Sequence, residues 1–358
     1  LPGRKSKNQW GRSISPLEEL VFFPGYGYRS SMDWTLVVQG CVFDPRVSWL
    51  RRTPLMGFIR HAMRVERGAL DFYRERMRPF LVDYARDRDV NVSIAGRPIL
   101  VGQTAEAGLF REAVAITAAE VAALPRRADL GENWVEFAAT LTEGDERRVL
   151  GTVQLLEPRG WSIISDVDDT LKYSNVPNRR DLFHNTFARA FHPITGMPEL
   201  YRECYQRGVA LHYVSGSPWQ LYDPLRAFFE EAGLPAGSFH LKRFQIRETA
   251  RKIRGMSPQR AHKRLAIGPI LAAFPERRFV LIGDTGEQDP EIYAEFLKQF
   301  PHQVGAVFLR GVRNETPDDA RLKRTFADVD PARWAVFRDA SDLRERLLAC
   351  LESEAPLQ

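Results

Sequence analysis

Trp161-Ser162-Ile163-Ile164-Ser165-Asp166-Val167-Asp168-Asp169-Thr170-Leu171-Lys172 is the stretch whose reading decides the fold. Its apolar start predicts a short buried strand, and the strand ends in a cluster of carboxylates: Asp166, Asp168 and Asp169. Open α/β sheets present their chemistry in this manner, at the carboxyl ends of the strands. Packing does not account for the acids, because a buried unpaired carboxylate is costly unless it binds a cation or shares a proton. The rest of the chain must therefore supply partners.

Downstream of Pro158-Arg159-Gly160, apolar strands alternate with helical patterns, which predicts a parallel sheet. Strands are expected at 162–165, 209–214, 239–242, 279–283, 305–309 and 335–337, with helices at 198–206, 224–232, 258–274, 289–300 and 342–351. Upstream the grammar differs. Short runs such as Glu19-Leu20-Val21-Phe22-Phe23, Thr35 to Gly40, Val90 to Ile94, Ile99 to Gly102, Phe110 to Thr117, Trp134 to Thr142 and Arg148 to Leu156 are broken by turn residues. They predict an all-β, immunoglobulin-like sandwich over 16–156, interrupted near 54–82 by a helical insertion. Residues 1–15 read as a flexible basic N-terminus, and 157–358 as the α/β domain.

Composition narrows the classes. Among 358 residues, 44% are hydrophobic and 27% charged, ordinary for a globular protein with ample core. A net charge of +5 is too small to argue for nucleic acid, and none is expected as a partner. No apolar run approaches the roughly 20 residues that span a bilayer. Cys41, Cys204 and Cys350 are odd in number and far apart, which disfavours a disulfide framework and fits a reducing compartment. The expected location is cytoplasmic, peripheral to a membrane at most. The first residue is Leu1 rather than Met, so a removed targeting segment stays open.

In the acidic loop, Asp166 stands at the strand end and Asp168 two residues on. One carboxylate can attack phosphorus while the other protonates the departing oxygen, with Mg²⁺ neutralising both phosphate and acid. The other reading of Asp-x-Asp-x-Thr is a solvated turn. A calcium loop fails on spacing, since Leu171 and Pro177 occupy the positions that need Gly and Glu. A second strand ends in Val214-Ser215-Gly216-Ser217-Pro218, whose hydroxyls and backbone can bind phosphate oxygens or simply cap a helix. It is not a nucleophile elbow, because Val214 and Pro218 stand where glycines are required. A later strand ends in Gly283-Asp284-Thr285-Gly286-Glu287-Gln288-Asp289-Pro290. Asp284 can share a metal with Asp166, and Asp289 can support it or serve as the N-cap of the next helix. Lys263, just before that strand, is the expected cation, with Lys242 as runner-up.

These four signals, in this order, resemble the haloacid-dehalogenase (HAD) superfamily of phosphotransferases. The paired aspartates point to its phosphatase branch; dehalogenases lack the second one, and ion-pumping ATPases carry threonine there. More narrowly, Asp166 to Val176, Tyr213 to Pro218, His262-Lys263, Phe274-Pro275 and Gly283 to Tyr293 are similar to the catalytic domain of the actin-patch phosphatidate phosphatase family of yeast and its bacterial relatives, over about 157–340. The resemblance implies a Rossmann-like HAD fold with a small cap near 172–208. It implies Asp166 as nucleophile and Mg²⁺ ligand, and Asp168 as general acid/base with its carbonyl on Mg²⁺. Thr170 would order the loop, and Ser215, Gly216 and Ser217 would bind phosphate. Lys263 would stabilise a phospho-aspartate, and Asp284 with Asp289 would complete the metal site. The activity implied is conversion of phosphatidate to diacylglycerol and phosphate. Asp169 is given no role.

Two features bear on substrate access. Residues 181–191 read as a helix with Phe183, Phe187 and Phe191 on one face, packed on the sheet or, as a cap, meeting acyl chains. Residues 242–264 carry Lys242, Arg243, Arg247, Arg251, Lys252, Arg254, Arg260, Lys263 and Arg264 against Glu248 alone, which suggests contact with an anionic membrane. The rival readings are the same chemistry on a soluble phosphomonoester or phosphoprotein, and a lipid- or protein-binding module with a vestigial catalytic half.

Overall fold

A computed structural model describes residues 12–46, 57, 61, 64–242 and 258–353. They divide into two units, one drawn from Leu1–Arg52 and Arg78–Leu156, the other from Thr53–Met77 and Glu157–Gln358. The first 156 residues contribute β1 (Glu19–Phe23), β2 (Gly25–Ser30), β3 (Asp33–Asp44), α1 (Leu70–Met77), β4 (Asp83–Tyr84), β5 (Asp89–Ile94), β6 (Arg97–Gln103), β7 (Leu109–Ile116), α2 (Ala118–Ala122), β8 (Trp134–Ala139) and β9 (Leu150–Leu156).

The strands of the first unit form one connected sheet in the order β1-β3-β2-β9-β8-β5-β6, with β4 and β7 paired to β3. All pairs are antiparallel except β2 with β9. Alternate residues such as Val90, Val92 and Ile94 of β5 point into a core with Phe22, Leu36, Phe110, Phe137 and Val153. Gly25 is required by close approach: a Cβ there would lie 2.1 Å from the Val37 carbonyl oxygen. Of the immunoglobulin-like sandwich expected here, the structure shows one connected, mainly antiparallel sheet.

The second unit continues with β10 (Trp161–Ser165), α3 (Arg179–Phe187), α4 (Met197–Gln206), β11 (Ala210–Pro218), α5 (Tyr222–Ala232), β12 (Ser238–Lys242), α6 (Pro258–Ala273), β13 (Arg278–Asp284), α7 (Asp289–Gln299), β14 (Val304–Arg310), α8 (Ala320–Thr325), β15 (Trp334–Phe337) and α9 (Ala340–Glu352). Its six strands are parallel and ordered β12-β11-β10-β13-β14-β15. β10 and β13 are continuous apolar runs because helices cover both faces of such a sheet. Each fully buried Ile or Val there contributes about 1.5–3 kcal/mol through removal from water. Amphipathic helices supply the cover: α5 buries Leu225, Phe228 and Phe229 and stops at Gly233, which takes the left-handed φ of 66°. Strand order reverses between β10 and β13, so the crevice that α/β sheets use for ligands opens at their carboxyl ends.

The helical stretch read as interrupting the β-rich half groups with this second unit. The Tyr73 ring of α1 lies 6.3 Å from that of Phe183 on α3, and Phe183 lies 5.1 Å from Phe187. The aromatic stripe of α3 thus meets α1, whereas the sheet or an acyl chain was expected as its partner. The helix is also shorter than predicted: the Ala188 cap leaves the helical region, and Phe191 lies beyond it. No described helix is long and apolar enough to cross a membrane.

Candidate active site

β10 and β13 run in register, Ser165 opposite Ile282, and the Asp166 amide donates to the Ile282 carbonyl at 2.8 Å. Asp166 and Asp284 are therefore delivered by adjacent strand ends, both fully buried. Gly283 makes room for a third acid, since a Cβ there would stand 2.2 Å from Asp289 Oδ2. Asp289 is not the N-cap of α7. That position is Gln288, which makes no side-chain cap. Instead Asp289 Oδ1 accepts from the Lys263 ammonium, and its Oδ2 faces the Asp284 amide at 3.4 Å. Lys263 projects from α6, is wholly buried, and donates to Asp166 Oδ1 at 2.7 Å. It is Lys263, and not Lys242, that the structure brings to the acids.

Asp166, Asp284 and Asp289 each offer a carboxylate oxygen within 4.8 Å of the others. One ammonium faces three carboxylates, an excess of two negative charges when all are ionised. Burial pushes the Asp166 carboxyl well above its usual range despite the opposing Lys263 charge, with Asp289 and Asp284 adding to the rise. Burial, then Asp289, does the same to Asp284. Glu287 is pushed up to about 7, chiefly by burial. Lys263 responds in the opposite sense: burial pulls it down, but Asp166 and Asp289 hold it well above an ordinary lysine. Asp284 Oδ1 accepts from the amides of Gly286 and Glu287 at 2.6 and 3.1 Å, while its buried Oδ2 has no hydrogen-bond partner. An all-oxygen donor set, an orphaned carboxylate oxygen and an excess of two negative charges suit a hard divalent cation.

Asp168 belongs to a second cluster. Its carboxylate is turned away from the three acids, so its side chain is not among the grouped metal donors; the contribution implied for it was the backbone carbonyl. Oδ1 takes the Lys172 ammonium at 2.7 Å and the Ser174 hydroxyl at 2.6 Å. Oδ2 takes the hydroxyls of Ser217 at 2.7 Å and Ser215 at 3.2 Å. Burial pushes this carboxyl up, but the Lys172 charge and the bonds from Lys172, Ser174 and Ser217 outweigh it and hold Asp168 at about 2. The two serines are thus engaged with Asp168 rather than capping a helix, and Ser215 Oγ also accepts the Ser217 amide at 2.9 Å. Gly216 sits between them, half-buried. Thr170 is buried with its hydroxyl 3.4 Å from Asp166 Oδ2. Every residue expected at the site is therefore at the ends of β10, β11 and β13 or on α6 and α7.

Sequence reasoning missed several participants. Lys172 was quoted in the motif without a role, although a lysine four residues after Asp168 is a signal for an ion pair. Asp169 is the clamp of the loop: its Oδ1 accepts the amides of Ser174 and Asn175 at 2.9 and 2.8 Å, and its Oδ2 that of Val176 at 2.6 Å. It does so from a left-handed φ of 55°. Arg310 Nη1 holds its carbonyl at 2.7 Å. Nothing in the sequence marked Glu287 as half-buried beside the acids. Residues 243–257, most of the basic stretch, lie outside the described residues.

Comparison with known proteins places this geometry. Residues 161–311 match the family model described as phosphatidate phosphatase APP1, catalytic domain. The chain is 34% identical over 172 residues to phosphatidate phosphatase APP1 of Saccharomyces cerevisiae, covering 46% of this chain and 28% of that protein. It is 34% identical over 170 residues to an uncharacterized protein of Schizosaccharomyces pombe, covering 46% of this chain and 27% of the other. The chain thus spans less than a third of the length of these curated relatives. Among solved structures, a D,D-heptose 1,7-bisphosphate phosphatase from B. bronchiseptica gives a weak likeness, with a TM-score of 0.32 at 13% identity over 52% of this chain and 98% of the other. A phosphoserine phosphatase scores 0.32 at 14% identity over 53% and 98%. Residues 161–311 of this chain are thus similar to the catalytic domain of phosphatidate phosphatase APP1.

Proposed function

We propose that the second unit is an HAD-type phosphoric monoester hydrolase that removes the phosphate of phosphatidate through an aspartyl-phosphate on Asp166. The observation that carries this reading is the buried trio Asp166, Asp284 and Asp289, with Lys263 paired to Asp166 and Asp289, within the stretch that matches the phosphatidate phosphatase family. Asp166 directly follows β10, and its Oδ2 has only the long 3.4 Å bond from Thr170. Its attack on phosphorus forms the acyl-phosphate bond as the bond to the glycerol oxygen breaks. The leaving oxygen takes a proton from Asp168, which must first receive one from the substrate monoanion or from the Lys172 ammonium 2.7 Å away. In the second half-reaction Asp168, held ionised at its low pKa, accepts a proton from the water that attacks the phospho-aspartate. Lys263 keeps its charge throughout and offsets the negative charge gathered at Asp166. Ser215, Ser217 and the Gly216 backbone would receive phosphate oxygens.

A Mg²⁺ ion, when bound, would neutralise charge between the phosphoryl group and the carboxylates. Asp166, Asp284 and the Asp168 carbonyl would hold it, with Asp289 in support. The basic stretch 242–264 would bring this face to anionic lipid. The test is phosphate release from phosphatidate in mixed micelles against a panel of soluble phosphomonoesters, with and without Mg²⁺. Asp166→Asn is expected to abolish turnover while the protein stays folded by circular dichroism. Equal turnover of short soluble esters would remove phosphatidate as substrate, and activity retained in Asp166→Asn would remove the nucleophile.

A further inference from the structure

Phe191, just beyond α3, has a ring shared by two cations. The Lys172 ammonium lies 4.6 Å from its centroid and the Arg76 guanidinium 3.8 Å. Lys172 is the ion-pair partner of Asp168, whereas Arg76 comes from α1, ahead of most of the β-rich half in sequence. Arg76 is only 6% exposed. Its Nη1 donates to the carbonyls of Thr186 at 2.8 Å, in the last turn of α3, and of Arg189 at 2.7 Å, just beyond it, where the helix dipole favours a cation. Among the described residues no carboxylate lies within ion-pair distance of it. Burial draws the guanidinium down to about 10, with the Glu75 charge opposing. A cation buried without a carboxylate is a poor stabiliser compared with an apolar side chain of similar volume. Packing alone gives no reason for arginine here; holding two carbonyls and an aromatic face together does.

We propose that Arg76 is a positioning residue of the phosphatase site, fixing the α3 terminus and the Phe191 ring so that Lys172 is held against Asp168. The inference rests on the reading of Asp168 as acid/base. It means that a segment lying some eighty residues before the matched catalytic stretch is part of the catalytic machinery.

General-acid help matters most when the leaving oxygen is a poor leaving group, so the readout is the leaving group. Turnover of a glycerol-type alkyl phosphate and of 4-nitrophenyl phosphate is measured in the full chain for Arg76→Ala, Phe191→Leu, Lys172→Met and Asp168→Asn. Arg76→Ala is expected to lower kcat on the alkyl ester by about tenfold or more, a fraction of the 10²–10⁴ that acid–base catalysis supplies, with KM little changed. On the aryl ester the loss should be about twofold. In the Lys172→Met background Arg76→Ala should add no further loss on the alkyl ester, because both act through one contact. If Arg76→Ala does not fold, Phe191→Leu must show the same selective loss. A loss equal on both esters, or one additive with Lys172→Met, overturns the inference. An Asp168→Asn variant that turns over the alkyl ester normally overturns the acid/base reading and the inference with it; a normal Asp168→Asn defect beside an indifferent Arg76→Ala overturns the inference alone.

Discussion

Asp169 shows how a single carboxylate can serve a site without touching a reacting atom. It accepts three backbone amides from Ser174, Asn175 and Val176 while sitting at a left-handed φ of 55°. Two separable contributions follow. Asp169→Ala removes the carboxylate and keeps a Cβ in an unfavourable conformation; Asp169→Gly removes the carboxylate and relieves the backbone. Urea denaturation should show Asp169→Ala destabilised by about 3 kcal/mol, since bonds to a charged acceptor are worth more than neutral ones. Asp169→Gly should recover about 1 kcal/mol of that loss. Equal stability of the two variants would mean that the backbone carries no strain. The sequence reading could not find this role, because the acceptor's partners are amides, which every residue but proline has. It did anticipate that Asp166, Asp168, Lys263 and Asp284 would gather in one place, because side-chain type and position next to apolar strands are local signals.

Among the elements, α6 joins packing to chemistry. Lys263 is buried against the acids, and its neighbour His262 is half-buried with Nε2 3.3 Å from the His240 carbonyl oxygen. Burial, the largest influence, draws His262 from 6.5 to about 4. The folded state therefore binds fewer protons than the unfolded one between those values. Stability is full above about pH 6.5 and is lost as pH falls toward 4, by about 1.4 kcal/mol per unit. Between pH 7 and 5 the wild-type chain should lose about 2 kcal/mol more than His262→Gln in denaturant titrations, and parallel profiles would contradict the assignment. The helices and strands of this half were legible to within a residue or two at most ends, as at β13, because apolar runs and turn residues are local signals. The destination of the Phe183 and Phe187 stripe was not, since a sequence shows that a face is apolar but not which other face covers it. The predicted extension to Phe191 failed for the same reason: Phe191 is spaced as if helical but lies beyond α3, in contact with Arg76 and Lys172.

Across the whole molecule, the chain enters the second unit at Thr53, leaves it after Met77, and returns at Glu157. A fragment comprising Glu157–Gln358 would keep every carboxylate of the site yet lack α1. It should melt below the full chain and bind a hydrophobic dye through the uncovered aromatic stripe of α3. Full stability of that fragment, without dye binding, would mean that α1 is dispensable to this unit. A boundary read from a change in local grammar, as here near Pro158, marks where one pattern ends. It does not reveal that an earlier helix belongs to the later pattern, because that depends on contacts made by distant residues.

The bond between Arg76 and the Thr186 carbonyl joins residues 110 positions apart. During synthesis α1 emerges long before α3 exists. At roughly 5–20 residues per second its apolar face waits on the order of 5–20 s for a partner, while the intervening β strands are free to pair. The order of translation thus sets a schedule in which the β-rich unit can form first, and the second unit closes only after α3 has left the ribosome.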